Sequence, residues 1–466
     1  YPKDDTAWAT MRKGHKKQLA TCKYNTLQLT EVQSTVFPSR VTGKRIRSAS
    51  AAPRLATCCL SAPCSCSVSL DRSAFDMVSS KGGKNDTIKI QPGNYTGDRN
   101  HSFESGSYSF QNPESMSIVI MGMGANPSDV VFSGNEDNYR GFIEVPPFKK
   151  VTFKNFTIRQ MFNGSDDKSG GAAIAYRRNN SDLLVDNMRF INNSVHQSSY
   201  HSGGGAIYIE RENSDGGIGD IRIRNSQFIN NSVTDYTFTD NNAFGGAICI
   251  APSYAEGNFP IKDGRVNFEP VRIEGCLFVN NNASSWDGDT YTWGAAIQSQ
   301  SNVHIENSLF YGNTSDDNHA GVIGLQPFWW SQNSVDGLPG ISSLVNNTFG
   351  PGPEQKQLFI MHGYESGVEC NIYNNIFSKS GSISESSIAV EIQFPNKLWA
   401  NNNLFESGLV DYNYVGLVET IGRESDLVGD ARFRNIGQND YSLLFNSPAI
   451  DAGTREIENN INAPKE

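Results

Sequence analysis

Short runs of alternating apolar and polar residues recur along the chain in a single register. Each run leads into an asparagine and then, three places on, a large apolar residue. Written V-x-I-x-N-x-x-F, the pattern fits eight segments that begin at Val151, Leu183, Ile221, Val271, Val303, Ser342, Cys370 and Leu398. Strict alternation is the period of a strand with one buried face. The asparagine falls on the inward parity, so Asn155, Asn187, Asn225, Asn307, Asn346, Asn374 and Asn402 are expected to form a buried, stacked column, with Gly275 as the one exception. Asparagine suits such a turn because it tolerates left-handed backbone and bonds nearby main chain. The apolar residue that follows, Phe190, Phe228, Phe278 or Phe310 in four of the copies, predicts an aromatic column beside it.

A second strand follows the first five copies. It opens on small residues, as in Gly170-Gly171-Ala172-Ala173-Ile174, Gly204-Gly205-Ala206-Ile207 and Gly245-Gly246-Ala247-Ile248. Paired glycines permit a tight corner and a close approach of neighbouring chains. In Ile207-Tyr208-Ile209 and Ile248-Cys249-Ile250 the isoleucines are expected to face in, which turns Tyr208 and Cys249 outward. One register recurring eight times predicts an all-β solenoid, a right-handed single-stranded parallel β-helix. The spacing between the apolar residues after the asparagine varies from 28 to 50, which assigns insertions to loops. The expected organisation is an irregular N-terminal arm or cap over 1–67, the helix over 68–454, and a tail over 455–466.

These residues resemble a known repeat. The polymorphic membrane proteins of chlamydiae carry paired GGA(I/L/V) and FxxN motifs. Here GGAAI at 170–174 and GGAI at 204–207 and 245–248 alternate with Phe190-Ile-Asn-Asn193, Phe228-Ile-Asn-Asn231, Phe278-Val-Asn-Asn281 and Phe310-Tyr-Gly-Asn313. More widely the chain resembles the pectin-lyase-like β-helix superfamily. Asp86 to Tyr95 is similar to an early strand of those proteins, Ser117 to Gly124 to the next coil, and Tyr441 to Gly453 to the closing one. The resemblance implies the fold and an adhesive or structural surface role. Chlamydial members end in a membrane barrel, and 13 residues (466 − 453) follow Gly453 here, so it implies a surface domain rather than a self-transported one.

Charge changes the picture at one end. The net charge is −10. Residues 1–67 carry 11 Lys/Arg against 3 Asp/Glu, a balance of +8, which leaves −18 on the rest (28 against 46). With an acidic body and no nucleic-acid motif, the basic arm is expected to dock on this chain or a neighbouring copy. Asp5 to Ala20 reads as a helix suited to cap the solenoid. No apolar run is long enough to span a membrane as a helix. The start at Tyr1 suggests a processed or partial product, and Arg47 to Ala62 has too weak an apolar core for a leader.

Five of the eight cysteines, Cys22, Cys58, Cys59, Cys64 and Cys66, lie in the arm, without zinc spacing or a nearby histidine. They are disulfide candidates in an extracellular protein. Cys370 reads as a small core residue. Eleven N-x-S/T sequons occur. Asn85, Asn94, Asn100, Asn163, Asn179, Asn192, Asn230, Asn282 and Asn313 are the expected glycosylation sites. Asn155 and Asn346, on the inward column, are expected to be bare.

Between FxxN and GGA the chain leaves the coil at the same place each time, so these loops must stack on one face. They carry His196, Tyr200 and His201, then Tyr236 and Phe238, then Trp286, Asp287, Asp289, Tyr291 and Trp293, then His319. Trp329 and Trp330 lie in the following loop. Aromatics with carboxylates and histidine suit a polysaccharide or glycan surface, or a protein interface. The Asp groups are candidate Ca²⁺ ligands, and no other cofactor or metal is expected. The same residue types also occur where a loop simply packs on its own solenoid. The leading reading is an extracellular structural or adhesive glycoprotein that associates head to tail into a filament. The alternative is a polysaccharide lyase or glycoside hydrolase acting in the loop-lined groove, which needs two or three of His196, His201, Asp287, Asp289, Asp316 and His319 gathered together. The loops contain almost no Lys or Arg, which disfavours a lyase that must neutralise a uronate.

Overall fold

Each V-x-I run becomes a strand that pairs, in parallel, with the equivalent run one coil earlier and one coil later. Val185, for example, sits beside Phe153 on one side and Ile223 on the other. The computed structural model describes residues 85–96, 117–134, 142–145, 148–164, 170–177, 181–197, 201–211, 219–235, 242–252, 261–262, 265–266, 269–285, 292–315, 321–325, 341–350, 357–361, 369–379, 388–393, 397–415, 419–438, 440–450 and 452–453. Among them the strands assemble into two long sheets of 11 strands and a third of 9, which form the faces of a right-handed parallel β-helix. Sheet 1 holds the V-x-I runs, sheet 2 the x-F-x runs, and sheet 3 the strands that follow the GGA corners.

Sheet 2 is built around a continuous aromatic column. Phe190, Phe228, Phe278, Phe310, Phe349, Phe377 and Phe405 stack with centroids 4.7–5.1 Å apart and ring planes within 11° of parallel. That spacing is the strand-to-strand distance of a β-sheet, so the coil rise itself sets the stack. All seven rings are buried.

The turns correct the expected asparagine column. Asn155, Asn187, Asn225, Asn307, Asn346, Asn374 and Asn402 do adopt left-handed backbone, with φ between 51° and 59°. Yet Asn225, Asn307 and Asn346 are exposed and the other four only partly buried. The left-handed residue breaks the alternation, so the inward position passes to its successor. Asn347, Asn375 and Asn403, each one place later, are buried and joined from coil to coil by side-chain hydrogen bonds of 3.1 Å. In the earlier coils Met188, Ser226, Cys276 and Ser308 fill the same inward place.

A second buried ladder stands at the other end of sheet 2, where Asn192, Asn230, Asn280 and Gly312 take the left-handed turn. Behind them Asn193, Asn231, Asn281 and Asn313 are linked Nδ2 to Oδ1 at 2.9, 3.0 and 2.9 Å. Each oxygen also accepts a backbone N–H, and each Nδ2 also donates to a backbone carbonyl one coil back. The amides are therefore saturated inside the core, where an unpaired one costs about 1–3 kcal/mol.

The GGA corners have a steric origin. Gly204 has φ +67°, and a Cβ there would run into the carbonyl oxygen of Ile207; one on Gly205 would strike that of Gly246 in the next coil. Beyond the corner Tyr208 and Cys249 do point away from the lumen, but they are buried in a second apolar cluster with Phe244, Ala251 and Trp293.

The expectation of disulfides is corrected for the described chain. Its three cysteines, Cys249, Cys276 and Cys370, are free and buried. Burial pushes all three thiols up, that of Cys276 to about 12. Cys22, Cys58, Cys59, Cys64 and Cys66 lie outside the described residues, as does the whole arm. The coils are held by sheet pairing, stacked rings and amide ladders.

At the C-terminal end Arg423 lies over the Tyr412 ring at 4.4 Å and bonds Asp411 at 2.8 Å. The Tyr412 hydroxyl donates to Asp426, whose other oxygen terminates the ladder by accepting from Asn403. A hairpin of 433–435 with 440–443 then folds back over sheet 2 and sets Tyr441 against Tyr311, 4.9 Å between centroids.

Candidate functional site

The loop face begins as a two-ply flap. After the turn at Asn192-Asn193 the chain runs out along Ser194–Gln197 and returns along His201–Gly203 to the GGA corner. Equivalent outgoing strands at Phe162–Asn163, Ser232–Asp235, Asn282–Ser285 and Thr314–Ser315 pair with it in a five-stranded parallel sheet. Returning strands at Asn242–Phe244 and Thr292–Trp293 complete a three-stranded one. The two plies let each excursion bond to those above and below, so the backbone polar groups are met without leaving the repeat. The described flap strands therefore stack one above another at the coil spacing.

The inward row of the outgoing ply, Val195, Val233 and Ala283, is fully buried, and its two valines belong to the main core. Its outward row carries His196 and Phe162, whose rings meet edge to face at 4.8 Å. Partial burial pushes the His196 imidazole below its usual range, favouring its neutral form. Trp293, expected on a ligand surface, instead lies buried against Tyr208, Phe244 and Cys249 on the outside of sheet 3. That is a correction: its ring ties the flap to the solenoid. His201 lies on a described strand. Tyr200, Tyr236, Phe238, Trp286, Asp287, Asp289, Tyr291, His319, Trp329 and Trp330 lie outside the described residues, as do Asp316 and the Ca²⁺ question at the Asp groups. Among the described residues no three His, Cys, Asp or Glu come together as a metal site.

The sequons divide by burial. Asn85, Asn94, Asn192 and Asn230 are exposed, and Asn282 is partly so. Asn163 and Asn313 are buried at 3% and 1% exposure, which corrects their assignment as outward sites. Asn313 belongs to the inner ladder, and the Asn163 amide donates to Gly170 O inside the flap base. Asn155 is partly buried and its amide is committed to Gly122 O and Gly124 O. Asn346 was expected to be buried and is exposed. Asn100 and Asn179 lie outside the described residues.

One surface had not been singled out from the sequence, the outer face of sheet 1. The residue before each left-handed asparagine points outward there, and successive coils set Lys154, Asp186 and Arg224 in contact at 3.1 Å each. Glu274 and Glu306 follow in the same row. Burial opposes ionisation of Asp186, but hydrogen bonds from Arg224, Lys154 and Asn225 outweigh it and hold its carboxyl below the usual 3.8. His304 bonds Glu306 at 3.3 Å and Arg222 bonds Asp220 at 2.8 Å. Charge alternates in sign from Lys154 through Asp186 and Arg224 to Glu274, and Glu306, beside Glu274, is met by His304 instead. The signal was present as the polar letter before each asparagine.

Residues 187–210 match the Chlamydia polymorphic membrane protein (Chlamydia_PMP) repeat. The match spans 24 residues (210 − 187 + 1) of 466 and covers one coil, from the left-handed Asn187 through Phe190, Asn193 and the GGA corner to Glu210. No curated protein matches the chain, and no solved structure does. No helix among the described residues is long and apolar enough to cross a membrane.

Proposed function

We propose that the protein is an extracellular structural or adhesive scaffold whose coils align a row of aromatic-rich loops into one recognition face for glycans or a partner protein. The observation that carries this reading is the two-ply flap, which launches successive loops from equivalent positions on adjacent coils. A scaffold of this kind fixes the separation of its binding elements without requiring them to pack a core of their own. The segments between the flap strands carry Tyr200, Tyr236, Phe238, Trp286, Tyr291 and their neighbours, residue types that favour sugar rings and protein interfaces alike. N-linked glycans at Asn192 and Asn230 would then stand along the flap's edge.

Head-to-tail association belongs to the same reading. Val428 continues the phenylalanine column at its last rung and is 71% exposed, and Phe445 is 92% exposed. Exposed apolar groups beside unpaired strand edges favour the addition of another coil. The basic arm of 1–67 is the segment assigned to guide that contact on an acidic neighbour.

The test is binding of the full chain to a glycan array and to intact cells, before and after joint replacement of Tyr200, Tyr236 and Tyr291 by alanine. Binding that falls at least tenfold with the triple variant supports the reading. Binding indifferent to the tips, or new reducing ends or unsaturated products released from a bound polysaccharide, overturns it in favour of another surface or of an enzyme.

A further inference from the structure

The inner amide ladder of the last coils has a direction. Each rung sends its backbone N–H and its Nδ2 toward the C-terminal end, where one side-chain oxygen receives both. Asn375 donates in this way to Asn403, at 3.0 Å from N and 3.1 Å from Nδ2. Asn403 donates likewise to Oδ1 of Asp426, at 2.8 and 3.1 Å. Asp426 is therefore the last rung, and any further coil of the ladder would have to rest on its donors.

Those donors are used or missing. The backbone N–H of Asp426 turns back to the carbonyl of Arg423 at 3.0 Å. A carboxylate has no Nδ2 to offer. Its second oxygen, Oδ2, accepts from the Tyr412 hydroxyl at 2.9 Å. Arg423 covers that tyrosine, its guanidinium 4.4 Å from the ring centroid. The guanidinium is anchored by Asp411 at 2.8 Å and by the Tyr414 hydroxyl at 3.2 Å. Arg423 has φ +84°, a left-handed conformation that costs energy for a side chain of this kind and persists where the surroundings impose it.

We propose that Asp426, Tyr412 and Arg423 form an autoinhibitory cap that limits end-on addition of a second copy at the last coil. The proposal rests on the end-on association read above and supplies its control. Two parts of the end face act in opposite directions. Val428, just beyond the cap on sheet 2, extends the ring column and is open, so apolar burial favours a mate there. At Asp426 a mate finds no donor. It would also cover the half-exposed Arg423–Asp411 ion pair, which costs desolvation.

The test uses the full chain and two variants that undo the cap. Asp426→Asn with Tyr412→Phe puts an amide donor on the last rung and removes the hydroxyl that would absorb it. Arg423→Gly places the residue best suited to positive φ and takes away both the cover and the ion pair; it decides the matter if the double variant does not fold. Sedimentation velocity over a range of concentrations reads the mass, circular dichroism reads the fold, and each variant is repeated with Val428→Glu. The cap predicts a higher weight-average mass than the parent's, returning to the parent value with Val428→Glu. Folded variants with the parent's mass, or a gain that survives Val428→Glu, would overturn it. The parent's own mass, with and without Val428→Glu, tests the end-on reading separately.

Discussion

The side chain of Asn231 donates to Asn281 in the following coil at 3.0 Å and to the carbonyl of Phe190 in the preceding coil at 3.1 Å. One amide thus ties three coils, and its oxygen is occupied by the backbone and side chain of Asn193. Stacked apolar strands alone define a face but not a height. The amide ladder adds direction, because each rung is complete only when the next coil stands in register.

The phenylalanine column carries the largest apolar burial. Replacement of Phe278 by alanine removes a ring stacked on both sides, at 4.8 and 4.7 Å, from a closed core. A loss of about 3–5 kcal/mol is expected. The outward Leu277, one residue earlier and only partly buried, should cost under about 1.5 kcal/mol on the same change. Urea unfolding of the two variants measures the contrast, and equal losses would mean that the column is not the core.

The GGA corner should tolerate no side chain. Gly204→Ala meets a positive φ and the Ile207 carbonyl together. It should lower stability by at least about 1–3 kcal/mol. Ala206→Gly, two residues on, removes a buried methyl and should cost about 1 kcal/mol. Thermal unfolding orders the pair, and a Gly204→Ala protein as stable as the parent would show that the corner is open.

In a host that attaches N-linked glycans, Asn192 and Asn230 should be occupied and Asn163, Asn313 and Asn155 bare. Burial and hydrogen bonding keep the second group from the transferase once the coils form. Glycopeptide mass spectrometry reads the outcome site by site. Sugar on Asn313 is incompatible with its place in the inner ladder.

Asp186 predicts an acid limb of stability. Its folded-state pKa is lowered from 3.8, so the folded form binds its proton less readily than the unfolded chain does. Its contribution is present above the unfolded value and fades as pH falls through the folded one. Asp186→Asn should flatten the fall in stability as pH drops below about 4, with little change in slope near pH 7. Identical pH profiles for parent and variant would remove Asp186 from the acid response.

Much of the fold was legible because a solenoid repeats its instructions. The alternation in Leu183-x-Val185, the left-handed Asn187 and the inward Phe190 all follow from local rules applied in every coil. The error was one of parity. Counting by twos carries the inward side through Asn187, but its positive φ swings the chain so that Met188 points inward instead. The same shift put Asn313 on the wrong side at the next turn. A pattern count cannot register a turn it assumes away, although the doubled Asn-Asn at 192–193, 230–231 and 346–347 held the clue: one residue for the backbone and one for the ladder. Trp293 was misread for another reason. Its burial depends on Tyr208 and Cys249 from neighbouring coils, and no local period records that meeting.

The inner and outer asparagines differ by one residue in sequence and are opposite in role, so a matched pair of substitutions tests the fold most directly. In Asn231→Leu the amides of Asn193 and Asn281 and the carbonyl of Phe190 lose partners inside the core, at about 1–3 kcal/mol for each group left unpaired. In Asn225→Gly an exposed side chain with a 3.3 Å bond to Asp186 is exchanged for the residue best suited to φ 51°. Equilibrium unfolding in urea should show Asn231→Leu strongly destabilised, or unable to fold, and Asn225→Gly within about 0.5 kcal/mol of the parent. Equal losses, or a greater loss at Asn225, would contradict the inner ladder and return the outer asparagines to the core.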